Sequence, residues 1–183
     1  MKKRLLCLML LAAMMVCAAA LGDGYSDAGY TERTPITARL NQRMATRNGP
    51  GTNYLDCGTY FSAGREMEII SLSYNYRGVP WVQVECMLGT HRVRLYTGLK
   101  RFDGVREQDI VLDACYNYPA KLSCAVTPTY GPGSSYRPYD FTLRQGREVT
   151  IIDFENGYAM VDFEAKSEGV TYRVWVPSSA LVY

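Results

Sequence analysis

Histidine is nearly missing from this chain: His91 is the single imidazole in 183 residues. Any His-ligated metal site, and any Cys–His nucleophile pair, would therefore have to be built on that one residue. The Cys-x-x-Cys spacing of a zinc site does not occur either. Charge of one sign is also scarce, with 20 Lys and Arg against 18 Asp and Glu and no run of either beyond the three basic residues at positions 2–4. Without a basic stripe to neutralise phosphates, a nucleic-acid role has no electrostatic footing. Phenylalanine (5) and tryptophan (2) are few, whereas tyrosine is abundant at 15. That balance suits short strands with amphipathic rings better than long helices.

The one long apolar run lies at the start. Lys2-Lys3-Arg4 precede an almost wholly apolar stretch from Leu5 to Val16, and Ala18-Ala19-Ala20 provide the small-x-small pattern of signal-peptidase cleavage. Residues 1–20 are thus expected to be a secretory signal, and the mature chain to be secreted or associated with the cell envelope. A retained membrane anchor would need flanking stop-transfer charges, and lipidation at Cys17 is disfavoured by the bulky Val16 before it. Three basic residues leave with the signal, so 17 basic and 18 acidic side chains remain. No transmembrane helix is expected in the mature chain. Residues 21–37, rich in Gly, Asp and Thr, read as a flexible leader.

What the rest contains, above all, is itself. Asn48-Gly49-Pro50-Gly51-Thr52-Asn53-Tyr54 reappears as Tyr130-Gly131-Pro132-Gly133-Ser134-Ser135-Tyr136, 82 positions on from Gly49 to Gly131. The same offset carries Ala38-Arg39-Leu40 onto Ala120-Lys121-Leu122, Gly64-Arg65-Glu66 onto Gly146-Arg147-Glu148, and Ile69-Ile70 onto Ile151-Ile152. A phrase whose flanks keep register marks an internal duplication. It implies two small domains, 38–102 and 120–183, with 103–119 as a linker, each near the lower size limit for independent folding.

Within each copy the alternation is that of strands. Met67 to Leu72, Trp81 to Cys86 and Arg92 to Tyr96 serve the first copy, and Arg147 to Glu155, Tyr158 to Phe163 and Arg173 to Val176 the second. Asn156-Gly157, between two alternating runs, predicts a two-residue type I′ hairpin turn. Trp81 aligns with Tyr158 at a shorter offset of 77, so the first copy carries five extra residues at its hairpin tip. The Gly-Pro-Gly phrase predicts a preset reversal, with Pro fixing its own φ, Gly free to take positive φ, and the following Tyr folding back as a latch.

Four cysteines remain after the signal: Cys57, Cys86, Cys115 and Cys124. An even number in an exported chain favours disulfides, and domain logic pairs Cys57 with Cys86 and Cys115 with Cys124. Free buried thiols and a metal site are the alternatives.

The order of turn-rich segment, strand, hairpin, strand and short terminal turn within about 65 residues is that of a small SH3-like barrel. Arg47-Asn48-Gly49-Pro50-Gly51-Thr52-Asn53-Tyr54 followed by the Trp81-Val82-Gln83-Val84 strand resembles the bacterial SH3 (SH3b) family. The second copy departs from the pattern, with Thr129-Tyr130 in place of the Arg-x pair. The fold expected is therefore all-β, two tandem SH3-like barrels. The resemblance implies a non-catalytic, cofactor-free module of an exported bacterial protein, binding peptidoglycan or another envelope component. Candidate ligand-binding residues are Arg47, Tyr54, Tyr60, Tyr74, Tyr76 and Trp81, whose rings and polar tips suit glycan or stem peptide. A protein-interaction or adhesion role is the alternative. Enzymatic chemistry is disfavoured: His91 sits in a turn with no reason to meet Cys57 or Cys86, and Asp162 and Glu164 read as solvated charges on one strand face.

Overall fold

A computed structural model describes residues 33–183. The signal segment at 1–20 and most of the expected leader lie outside the described residues. Among the described residues eleven short strands alternate with turns: β1 (Ile36–Arg39), β2 (Met44–Arg47), β3 (Asp56–Phe61), β4 (Glu66–Tyr74), β5 (Pro80–Leu88), β6 (His91–Gly98), β7 (Tyr118–Leu122), β8 (Glu148–Glu155), β9 (Tyr158–Ala165), β10 (Val170–Pro177) and β11 (Leu181–Val182). Single 3-10 turns at Leu99–Arg101, Glu107–Asp109 and Ser178–Ala180 are the helical pieces among the described residues. The fold is all-β, in two antiparallel sheets ordered β1-β4-β5-β6-β2-β3 and β10-β9-β8-β7-β11.

The duplication is visible strand by strand. Ile36 pairs with Ile69 in the first copy, and Tyr118 with Ile151 in the second. Met44 opposes Phe61 as Val126 opposes Leu143, and Arg47 opposes Tyr96 as Thr129 opposes Trp175. Both long hairpins carry a register shift at the same place, between Ile69 and Ser71 and between Ile151 and Asp153. Such a bulge bends a strand and increases its twist, so each sheet curls over its own core. In the first, Met44, Ile69, Leu72, Val82, Val84, Val93 and Leu95 are buried together; in the second, Leu122, Val149, Ile151, Val161, Val174 and Val176. Each such aliphatic side chain contributes on the order of 1.5–3 kcal/mol by leaving water.

The Asn156-Gly157 turn forms as the sequence predicts, with φ of 51° and 75° at the two residues and Glu155 facing Tyr158 across it. The Gly-Pro-Gly phrase needs its glycine for a different reason than positive φ. A Cβ on Gly49 or on Gly131 would stand 2.1 Å from the ring of Tyr54 or Tyr136, so the first glycine of each phrase is there to let the tyrosine lie flat on the backbone.

No disulfide forms among the described residues: Cys57, Cys86, Cys115 and Cys124 are all thiols. Cys115 and Cys124 flank β7, whose five extended residues alone span more than 10 Å, beyond the Cα separation a disulfide can bridge. Cys57 lies on β3 at one edge of the first sheet, with β2 and β6 between it and the β5 strand of Cys86. Both pack against the first core, and burial pushes their thiols up to about 12 and about 11 respectively. No helix among the described residues is long and apolar enough to cross a membrane.

Candidate functional site

The two tyrosine latches do not face solvent. Each crosses into the other copy. Tyr54 Oη donates to Asp162 Oδ2 at 2.7 Å and accepts from Arg173 Nη2 at 3.2 Å. Arg173 holds the same carboxylate with Nε at 2.7 Å and Nη2 at 2.9 Å. Reciprocally, Tyr136 Oη donates to Glu85 Oε2 at 2.5 Å, and Arg94 Nε reaches that oxygen at 2.8 Å. Glu85 and Asp162 are equivalent positions of the two copies, as are Arg94 and Arg173. The backbone follows suit: Leu55 N–H donates to Thr171 C=O at 3.0 Å, and Arg137 N–H to Arg92 C=O at 3.0 Å. The seam is therefore two-fold-like, with each copy supplying a tyrosine donor and a carboxylate–arginine receptor.

At its centre Gln83 Nε2 reaches Tyr96 Oη at 3.1 Å and Met160 Sδ at 3.7 Å. Tyr96 Oη donates to Asp113 Oδ2 at 3.1 Å, and Ser73 donates to the same carboxylate. Burial raises Tyr54 and Tyr96 well above the ordinary phenol range, with Asp162 and Asp113 respectively adding to the effect, and raises Tyr136 to about 12. These hydroxyls are permanent donors at physiological pH. Burial works against the charged form of Arg173, and Asp162, Tyr96 and Tyr54 together outweigh it, so the guanidinium stays charged.

This arrangement separates the residues singled out from the sequence. Tyr54, 9 % exposed, is committed to the seam. Arg47 is half-buried beneath it, donating to Tyr54 C=O at 2.9 Å and pairing with Asp56 at 3.2 Å. Tyr60 is exposed on β3 under the guanidinium of Arg43, and its strand lies at the far side of the sheet from β4. Tyr74, Tyr76 and Trp81 all lie on the β4–β5 hairpin near the tip where the first copy carries its extra residues, but Trp81 pairs with Ser73 and so stands on the face of the hairpin away from Tyr74. Tyr74 and Tyr76 are 46 % and 69 % exposed, Val79 is 45 % exposed, and Trp81 is half-buried opposite Ser73.

The tip is rigid. Asn75 Oδ1 accepts from Arg77 N–H and Val79 N–H, both at 2.9 Å, while Asn75 N–H donates to Val79 C=O at 3.0 Å. Gly78 takes a φ of 71° to close the loop. Arg77 lies over the Tyr76 ring at 5.1 Å, and Tyr74 Oη donates to Glu107 Oε2 at 2.6 Å. Two exposed rings and a stacked guanidinium thus stand on a prepared frame, which lowers the ordering cost of binding.

A second surface escaped sequence reasoning. Phe141, Phe163 and Tyr172 line a groove of about 1620 Å³ on the second copy, with Arg147, Lys166 and Glu164 on its walls. Phe163 and Tyr172 stack at 5.1 Å, and Arg147 lies over Phe163 at 4.8 Å. These rings alternate with polar residues like any strand, and nothing in that pattern distinguishes a groove wall from a core. His91, expected in a turn, is the exposed first residue of β6, opposite Leu88 and beside Thr90. Asp162, read from sequence as a solvated charge, is instead clamped by Arg173, whereas Glu164 is exposed as expected.

No protein-family model matches the sequence, and no curated protein matches it. Among solved structures, the chain is similar to NlpC2 from Trichomonas vaginalis, with 14% identity, a TM-score of 0.32, and coverage of 84% of this chain and 49% of that one. It is also similar to NlpC1 from Trichomonas vaginalis, with 14% identity, a TM-score of 0.30, and coverage of 87% and 51%. The chain spans about half the length of these structures, and likeness at this level carries no functional argument.

Proposed function

We propose that the chain is an exported, non-catalytic binding module of two SH3-like barrels, of bacterial SH3 type, that holds peptidoglycan peptide or glycan through the β4–β5 tip of its first copy. Closure of each sheet into a barrel is supported by the Leu40–Phe102 bridge, which brings the end of β1 to the segment after β6, and by the matching β7–β11 pair. The binding reading rests on one observation: Tyr74, Tyr76, Arg77 and Val79 stand exposed on a hydrogen-bonded loop that the second copy replaces with Asn156-Gly157. Two copies that share core, bulge and seam differ here in loop length and in exposed rings. Tyrosine and arginine are the side chains that carry binding energy in polar interfaces. The raised thiols of Cys57 and Cys86 support a non-catalytic reading, because a nucleophilic cysteine needs a lowered pKa.

The test is sedimentation with insoluble peptidoglycan. The purified protein is expected in the pellet, and Tyr76→Ala is expected to shift the half-saturating wall concentration upward by about tenfold, the loss of roughly 1.4 kcal/mol. Clean recovery in the supernatant across several wall preparations would overturn the ligand and favour a protein partner. Solubilisation of the wall that disappears in Cys57→Ala or His91→Ala would overturn the non-catalytic reading.

A further inference from the structure

One occupant of the seam comes from outside the duplicated unit's strands. Arg33, three residues before β1, buries its side chain to 8 % exposure against carboxylates supplied by other parts of the chain. Its Nη1 donates to Glu155 Oε2 at 3.1 Å, its Nη2 donates to Asp153, and Asp113 Oδ1 lies at 3.9 Å. All three acids are enclosed, at 0 %, 6 % and 5 % exposure for Asp113, Asp153 and Glu155. Asp113 Oδ1 has no hydrogen-bond partner of its own, so a buried acceptor points at the guanidinium without being consumed by anything else.

Comparison of the copies shows that this pocket is peculiar to one half. At the offset of 82, Asp153 and Glu155 correspond to Ser71 and Ser73, and Arg33 corresponds to Cys115. Two neutral hydroxyls in one copy are thus two carboxylates in the other, with an arginine to fill the space between them. The pocket is built for a fork. Glu155 is already held by both terminal nitrogens of Arg94, at 2.7 and 2.8 Å, so its remaining lone pairs are directional. A planar guanidinium satisfies several such acceptors at once, whereas an ammonium presents a single point of charge.

We propose that Asp113, Asp153 and Glu155 form a guanidinium-binding site that the chain fills in cis with Arg33, and that the emptied site takes a guanidinium from solution. Its ligand class is an arginine side chain or a small alkylguanidinium. Arg33 is then a plug whose departure opens a receptor rather than merely deleting an ion pair, and any segment bearing an arginine could compete for the same acids.

The experiment is chemical rescue in the full chain. Arg33→Gln keeps a polar planar end without charge and should lower the melting temperature by about 5–15 °C, as expected when one partner of a buried ion pair is lost. Methylguanidinium at millimolar concentration should restore at least half of that loss saturably, leave the wild type unchanged, and fail on Arg33→Gln/Asp153→Asn. Methylammonium and methylurea, matched for charge and for shape, should each rescue far less. If Arg33→Gln folds only in the presence of methylguanidinium, the site is supported. Equal rescue by methylammonium, no rescue by methylguanidinium, or a variant as stable as the wild type would each overturn it.

Discussion

Removing one hydroxyl from the seam should weaken both halves of the molecule together. Tyr54→Phe deletes the 2.7 Å bond to Asp162 and the 3.2 Å bond from Arg173 while leaving the ring on Gly49. A hydrogen bond to a charged group is worth about 1.5–3 kcal/mol, and Asp162 keeps two bonds from Arg173, so the loss should fall at the low end, about 1.5–2 kcal/mol. For a chain of this size that is a fall in melting temperature of about 3–8 °C. Nature has provided one tryptophan per copy, Trp81 in the first and Trp175 in the second, so Trp81→Phe and Trp175→Phe backgrounds report each half separately during urea unfolding. In both backgrounds Tyr54→Phe should lower the midpoint by the same amount, and the two reporters should coincide before and after the change. Tyr136→Phe, which removes the bond to Glu85, should do likewise. Midpoints that separate, or a Tyr54→Phe effect confined to the Trp81 reporter, would refute a seam that couples the halves.

Three further outcomes follow from the same geometry. Gly131→Ala places a methyl group 2.1 Å from the Tyr136 ring and should cost about 1–3 kcal/mol by forced displacement, whereas Gly169→Ala, with open space around it but a φ of 65°, should cost only the smaller backbone strain; urea midpoints separate the two. At pH 8 iodoacetamide should label exposed Cys124 while Cys57 and Cys86 stay unmodified, read by peptide mass, because their raised pKa values of about 12 and about 11 leave thiolate fractions near 10⁻⁴ and 10⁻³. Those thiols also fix a sign: their folded pKa lies above the unfolded 9.0, the folded state holds the protons more tightly, and stability should decline as pH rises above about 9, an alkaline slope that Cys57→Ser/Cys86→Ser flattens in pH-dependent melts.

Much of the fold could be read from residue order because its determinants are local. The constant offset, the alternating runs and Asn156-Gly157 each encode backbone geometry within a few residues, and each appears in the structure where the pattern puts it. The seam was harder, since nothing local tells Tyr54 that its acceptor lies 108 positions away on Asp162. A clue was nonetheless present: the duplication repeats Tyr, acid and Arg together, as Tyr54, Glu85 and Arg94 in one copy and Tyr136, Asp162 and Arg173 in the other. Core strands preserve apolar character, and a repeated charge on an inward-facing strand position is the mark of a buried partner. The cysteines misled for the opposite reason: an even count is a property of composition, and the strand between Cys115 and Cys124 is a property of space.

The seam has a consequence for behaviour in dilute solution. Because each copy presents both the donor and the receptor, the contacts are those of a symmetric dimer whose two subunits share one chain. A dimer of separate chains dissociates as its concentration falls; one joined end to end keeps its partner at an effective concentration set by the connection, however far the protein is diluted.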